Sequence, residues 1–245
     1  MSDFDRNASA RWGSSVAQAG TRADIDQGLR SYMLGIYNHM TLGLAISGLV
    51  ALGIYMIGGP AKAILYQSPL KWVIMLAPLA FIFVLSWRFE KMSYTSILVT
   101  FWAFAAVMGL SLGSIGFVFK VHSIVTALLA TTIAFAGLSI WGYTTKRSLS
   151  GMGSFLMMGL IGLIVVMIVN IFLQSPMLQF AISAIGVLIF AGLTAWDTQR
   201  LKEEYDYVSQ DGELMQKSSV MGALSLYLNF INMFSFILSL TGSRE

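Results

Sequence analysis

Seven apolar runs, at about 33–57, 72–87, 95–118, 123–142, 152–173, 177–199 and 219–241, decide what this chain can become. Crossing roughly 30 Å of hydrocarbon takes about 20 apolar residues in a helix. Short segments bearing Lys, Arg, Gly, Pro or Ser separate the runs. Only 11% of the 245 residues are charged, against about 25% in a soluble domain. The expected fold is therefore an all-α membrane protein, a seven-transmembrane-helix bundle over residues 32–242. The second run is short and contains Pro78. The fifth and sixth are divided only by Gln174, Ser175 and Pro176, and a proline at that place favours a helix start.

Residues 1–31 mix both signs of charge with small polar side chains and hold no apolar run long enough for a signal-peptide core. They are expected to form a disordered cytoplasmic tail. Lys and Arg set the orientation, because cytoplasmic loops retain an excess of them. Arg6, Arg11, Arg22 and Arg30 in the tail join Arg88, Lys91, Lys146, Arg147, Arg200, Lys202 and Lys217 on one side, eleven in all. Lys62, Lys71, Lys120 and Arg244 make four on the other. The N-terminus is thus expected inside. A net charge of +3 spread over short loops is no nucleic-acid footprint. The absence of cysteine excludes disulfides, thiolate nucleophiles and cysteine metal sites.

Eleven of the twelve acidic residues fall in the tail, in loops or at the end of the chain, which leaves Asp197 alone on an apolar helix. It closes an uncharged run from Met177 to Trp196, and two depths fit that position. In one, Asp197 sits at the headgroups beside Trp196, with Arg200 and Lys202 snorkelling nearby. In the other, the helix continues through Glu204 and Asp197 faces the bundle interior, where an ionisable group is an ion-pathway or proton-relay candidate. Desolvation and a nearby cation, Arg88 or Lys91, would then pull its protonation in opposite directions.

The seventh run places Ser225, Asn229, Asn232 and Ser239 on one helix face, at spacings of four, three and seven. Such a stripe belongs inside the bundle, either as interhelical hydrogen-bond glue or as part of a hydrophilic path shared with Asp197. Gly109 and Gly113, four apart, allow close helix packing. His39 and His122 are isolated, and two histidines offer no metal set. The polar stretch 200–218, broken at Asp211-Gly212, reads as a solvated connector or a docking surface for a partner.

The WDTQ sequence Trp196–Gln199, the stretch Leu226-Tyr227-Leu228-Asn229-Phe230-Ile231-Asn232-Met233-Phe234 and the first-helix segment YNHMTLGLAISGL together resemble the Bax inhibitor-1 family of transmembrane Bax inhibitor motif proteins, in a bacterial form. The resemblance covers about residues 30–242. It implies a six- or seven-helix fold and a pH-dependent calcium leak across a membrane, with suppression of cell death in eukaryotic members. Some bacterial members look like modulators of a membrane-bound ATP-dependent protease. In the calcium-leak members two aspartates on the last two helices share a proton and govern opening. Asp197 matches the first; Asn229 stands where the second is expected. An Asp–Asn pair keeps a hydrogen bond and loses the charge repulsion, and it makes a poorer calcium site.

The expectation that follows is a multi-pass protein of the bacterial inner membrane, a monomer or homo-oligomer in the lipid bilayer. Its titrating group is Asp197, its polar interior includes Asn229, Asn232 and Ser225, and Arg88 or Lys91 is its basic partner. Calcium is the candidate permeant or bound ion, with Asp197 as its ligand, and no cofactor is implied. The alternative is a non-conducting regulator of a membrane-bound ATP-dependent protease. Catalysis is not expected, since no HExxH, GxSxG or GxxxxGK[ST] motif is present and no second intramembrane aspartate stands beside Asp197.

Overall fold

A computed structural model describes residues 3–243, with side chains from Gln27 onward except that of Ala61. Eight α-helices follow one another: α1 (Asp3–Ile57), α2 (Gly59–Tyr66), α3 (Leu70–Arg88), α4 (Tyr94–Gly113), α5 (Val121–Thr144), α6 (Ser150–Leu173), α7 (Pro176–Val208) and α8 (Gly212–Thr241). All but α2 are long and apolar enough to cross a membrane, so the chain is a seven-span helical bundle. Six of the expected runs lie within one of the seven spans, and the third, 95–118, passes the end of its span Tyr94–Phe117 by one residue. The backbone of α1 is helical from Asp3, through the segment whose sequence suggests disorder. The side chains of residues 1–26 lie outside the described ones.

The bundle is organised around α8. Of its most apolar 18-residue stretch 56% is buried, against 17–39% for the other spans. It packs on α1 and α4 on one side and on α5 and α7 on the other. The outermost spans are α3, which leans on α4, and α6, which leans on α7. Tyr227 of α8 marks the middle of the core. Its ring meets Phe101 and Phe104 of α4 edge-on, with centroids 5.9 and 5.5 Å away, and its hydroxyl lies 2.6 Å from Ser47 Oγ of α1. Ser47 Oγ in turn donates to the Ala105 carbonyl at 2.7 Å. Three helices are thereby tied by polar atoms where no water is at hand, the setting in which small polar residues act as glue. Gly109, four residues on from Ala105, lets α4 approach α1 at the same level, since a Cβ there would fall 2.7 Å from the Ser47 carbonyl oxygen.

Pro78 in α3 lacks an N–H, so the Ile74 carbonyl loses its normal intrahelical donor. Ser111 of α4 supplies one, its Oγ donating to Ile74 O at 3.0 Å. A proline inside a span is tolerated when a neighbouring helix satisfies the freed carbonyl in this way. Ser111→Ala is accordingly expected to lower stability by about 1 kcal/mol, read as a fall of roughly 2–4 °C in the Tm of the detergent-solubilised protein. An unchanged Tm would mean that the Ile74 carbonyl needs no partner.

Two polar connections refine the reading of the chain. Between α6 and α7, Gln174 adopts the left-handed conformation (φ 50°) and ends α6. Ser175 then caps α7 through its side chain, with Pro176 in the first turn. The polar stretch 200–218 is helix rather than connector: α7 runs to Val208 and α8 begins at Gly212. The turn between them is closed by the Asp211 side chain, which accepts from the N–H groups of Glu213 (2.9 Å) and Leu214 (3.0 Å). With 33 and 30 residues, α7 and α8 are about 50 and 45 Å long at 1.5 Å per residue, longer than the bilayer core is thick. Their joined ends project beyond it.

Candidate functional site: a carboxylate held between α7 and α8

Asp197 lies 21 residues beyond Pro176, about 32 Å along the helix, and so at the edge of a 30 Å hydrocarbon layer. It is nevertheless inside the bundle, only 6% exposed. The α7–α8 seam is close at both ends because Gly186 accommodates the Phe236 ring and Gly222 the Leu201 side chain, each within 2.7 Å of where a Cβ would stand. That closeness brings Asn229 to Asp197. Asn229 Nδ2 donates to Asp197 Oδ2 at 2.7 Å, and Asn229 is itself 5% exposed.

The other carboxylate oxygen, Oδ1, is 2.7 Å from Arg200 Nη2. This cation comes from the next turn of α7 itself, the i,i+3 arrangement that puts both side chains on one helix face. The guanidinium lies 5.3 Å over the Trp196 ring, and its Nη2 is 3.5 Å from Ser225 Oγ. Part of Arg200 reaches solvent, with 43% of its side chain exposed against 9% for Asp197. Arg200 therefore caps the buried carboxylate on the side facing the polar helix ends. The carboxylate has a charged partner and an amide donor, which is what makes a charge tolerable in a desolvated place.

The sequence-derived set is only partly assembled here. Asp197, Asn229 and Ser225 come together, the last through Arg200. Asn232 does not join them: it is half-buried and its Nδ2 donates to the Leu228 carbonyl of its own helix at 2.8 Å. Ser239 belongs to the far end of the bundle, where it accepts from Ser183 Oγ at 3.1 Å. Between the two ends the buried residues of α8 are Phe230, Ile231, Met233, Phe234 and Leu238, all apolar. The cation paired with Asp197 is Arg200, and neither Arg88 nor Lys91 is paired with it. Both are exposed at the end of α3, which packs on α4, away from α7. The i,i+3 spacing of Asp197 and Arg200 was the available signal for this ion pair.

Other residues of the WDTQ stretch build the walls. Trp196 fits against α6 at Gly153, where any Cβ would collide with the indole. Thr198 returns its hydroxyl to the Thr194 carbonyl at 2.8 Å. Gln199 is 7% exposed; it accepts from the Leu149 N–H (2.7 Å) and donates to the Arg147 carbonyl (2.9 Å). The α5–α6 connection is thus stitched to α7 beside the carboxylate. Toward the helix ends a second polar cluster follows. Glu204 accepts from Ser218 Oγ of α8, and Ser218 Oγ is 3.0 Å from the Tyr32 hydroxyl of α1. Arg200 lies between the two acids on α7, three residues after Asp197 and four before Glu204, and Glu204 is within electrostatic reach of Asp197. A calcium ion at Asp197 would have to replace Arg200 and Asn229 as partners, and one carboxylate is few oxygens for a cation that takes six to eight.

A seven-span bundle whose central helix holds an amide against the one buried carboxylate among the described residues defines the class of this protein: a multi-pass membrane protein with an ionisable group inside. The family profile described as Inhibitor of apoptosis-promoting Bax1 matches residues 29–245, and the chain belongs to this Bax inhibitor-1 family. Inner membrane protein YbhL of Escherichia coli (strain K12) is 39% identical over 221 residues, covering 89% of this chain and 94% of that protein. A Caulobacter vibrioides protein of no assigned function is 41% identical over 255 residues, the full length of both chains. RP147 of Rickettsia prowazekii is 39% identical over 220 residues, 90% of this chain and 92% of its own. Seven spans together with relatives of that kind make this a multi-pass protein of the bacterial inner membrane.

Proposed function

We propose that this protein is a pH-sensitive cation leak, with calcium as the ion, and that its closed form is held by the Asp197–Arg200 pair. The observation that carries the reading is that Asp197, buried between the two most buried spans, has both oxygens occupied, one by Asn229 and one by Arg200. Protonating Asp197 removes the charge that holds Arg200. The guanidinium then turns to Glu204, one turn further along the same face. The cap over the Asp197–Asn229 contact leaves, water reaches Asn229, and α7 and α8 lose their charged tie. Acid is therefore the opening signal, and the N-terminus and the Arg200 end face the cytoplasm.

Calcium entry into liposomes holding the purified protein, followed from about pH 5 to 8, tests this across the range a desolvated carboxylate can reach. The expected outcome is flux above that of empty liposomes, rising as the pH falls. Flux equal to that of empty liposomes at every pH would contradict it.

A second reading, a non-conducting regulator of a membrane-bound ATP-dependent protease, is favoured by one different feature. The ends of α7 and α8 project, and they carry Tyr207, 83% exposed, beside exposed Glu203 and Asp206. A large aromatic among acids on a projecting helix suits a protein contact. A silent flux assay together with co-purification of a protease, lost in Tyr207→Ala, would establish that reading in place of the first.

A further inference from the structure

Helices α1 and α5 both pack on α8, and they leave a groove of about 1150 Å³ between themselves. Its floor is α8, at Phe230, Ile231 and Phe234. It extends along α1 from Arg30 to Tyr55, about 37 Å at 1.5 Å per residue, so it spans the whole hydrocarbon layer. A groove this long that opens sideways in a membrane protein meets lipid first.

Its two halves differ in chemistry. Arg30 stands at one end and is the charged residue among those lining the groove. Near it Tyr143 lines the α5 wall, with Lys202 Nζ 5.0 Å over its ring and donating to its carbonyl at 2.9 Å. One turn deeper on α5 is Ser139, also lining the groove. Ser139 is 6% exposed, and its Oγ has no hydrogen-bond partner, although a serine on a membrane helix usually returns its hydroxyl to a carbonyl. It lies five residues from the end of α5 at Thr144, about 7.5 Å below that end, the depth of the glycerol esters under a headgroup. The groove thus offers a cation at headgroup level and an apolar channel beyond, with the enclosed Ser139 hydroxyl in its wall between them.

We propose that this groove is a binding site for one anionic phospholipid of the leaflet on the Arg30 side. Arg30 takes the phosphate, Lys202 adds positive potential behind Tyr143, the α5 wall at Ser139 lies level with the glycerol esters, and an acyl chain lies against Phe230, Ile231 and Phe234. The site is independent of whether the protein conducts ions. It bears on the carboxylate site all the same, since Phe230 is the neighbour of Asn229 on α8.

The test is native mass spectrometry of the protein released from bilayers holding equal amounts of phosphatidylglycerol and phosphatidylcholine. One phosphatidylglycerol per chain is expected to survive, preferred by about fivefold, the worth of one cation against an anionic lipid. Arg30→Gln is expected to remove the preference while lipid is still retained. Ala136→Trp, which fills the groove from the α5 wall, is expected to abolish retention. If its melting temperature without added lipid differs from that of the parent, Ala45→Trp on the α1 wall replaces it. Equal retention of both lipids by the unmodified protein would overturn the proposal, as would retention that survives the tryptophan. So would lipid-free dimers that the tryptophan converts to monomers, because a second copy of the chain would then fill the groove.

Discussion

Asn229→Asp is expected to raise calcium flux about tenfold at acid pH, which corresponds to ~1.4 kcal/mol in the opening barrier. The new carboxylate would stand where Asn229 Nδ2 now donates at 2.7 Å to Asp197. Two carboxylates that close cannot both ionise, so the pair holds one proton between them and titrates as a unit. Arg200 can neutralise one charge, and loss of the proton leaves a second without a partner. Since the folded pair binds a proton that the unfolded chain at neutral pH does not, stability must fall as pH rises, by at most about 1.4 kcal/mol per pH unit. Thermal melting of Asn229→Asp across pH 5 to 8, run beside the flux assay, reads both consequences. Flux and melting profiles identical to those of the parent would show that position 229 has no part in gating.

Arg200→Ala should also favour the open form, here by removing the cap over Asp197. Breaking a fully buried ion pair costs about 3–5 kcal/mol, but the Arg200 side chain is 43% exposed, and solvent screening brings the expected loss to about 1–2 kcal/mol. Flux should be present already at neutral pH and its rise on acidification should flatten, because the step that acid normally triggers has been made by mutation. Arg200→Lys should restore part of the closure: it keeps the charge but loses the planar stacking over Trp196. An Arg200→Ala protein that stays silent at neutral pH would remove Arg200 from the gate.

The bundle was legible because lipid leaves the backbone so few choices: a 20-residue apolar run without charge has to be a helix. What lay beyond the bilayer was less so. The stretch 200–218 is mostly polar, and mean hydropathy cannot distinguish a solvated helix from a solvated loop; the helical signal was the spacing of Leu201, Tyr205 and Val208, which α7 buries on one face. Only Asp211, the cap of α8, marked where one helix ends and the next begins. Asp197 was identifiable as the odd acid, and its pairing with Asn229 followed from the family resemblance. Its burial did not, since depth along the helix and facing across it are separate coordinates; the glycines that close the α7–α8 seam settle the second. Arg88 and Lys91 were candidates as basic residues at the end of another span. Which helix packs where is decided by side chains far from either, such as Ser111 on Ile74, and no local pattern reports it.

The measurement that bears most directly on the account is calcium flux against pH for the parent and Asp197→Asn, reconstituted in the same lipid. Asparagine keeps the shape and removes the titration, so acid-stimulated flux is expected in the parent and a flat profile in the variant. An acid response of equal size in both would show that the proton is bound elsewhere, and the carboxylate between α7 and α8 would be a structural tie rather than the gate.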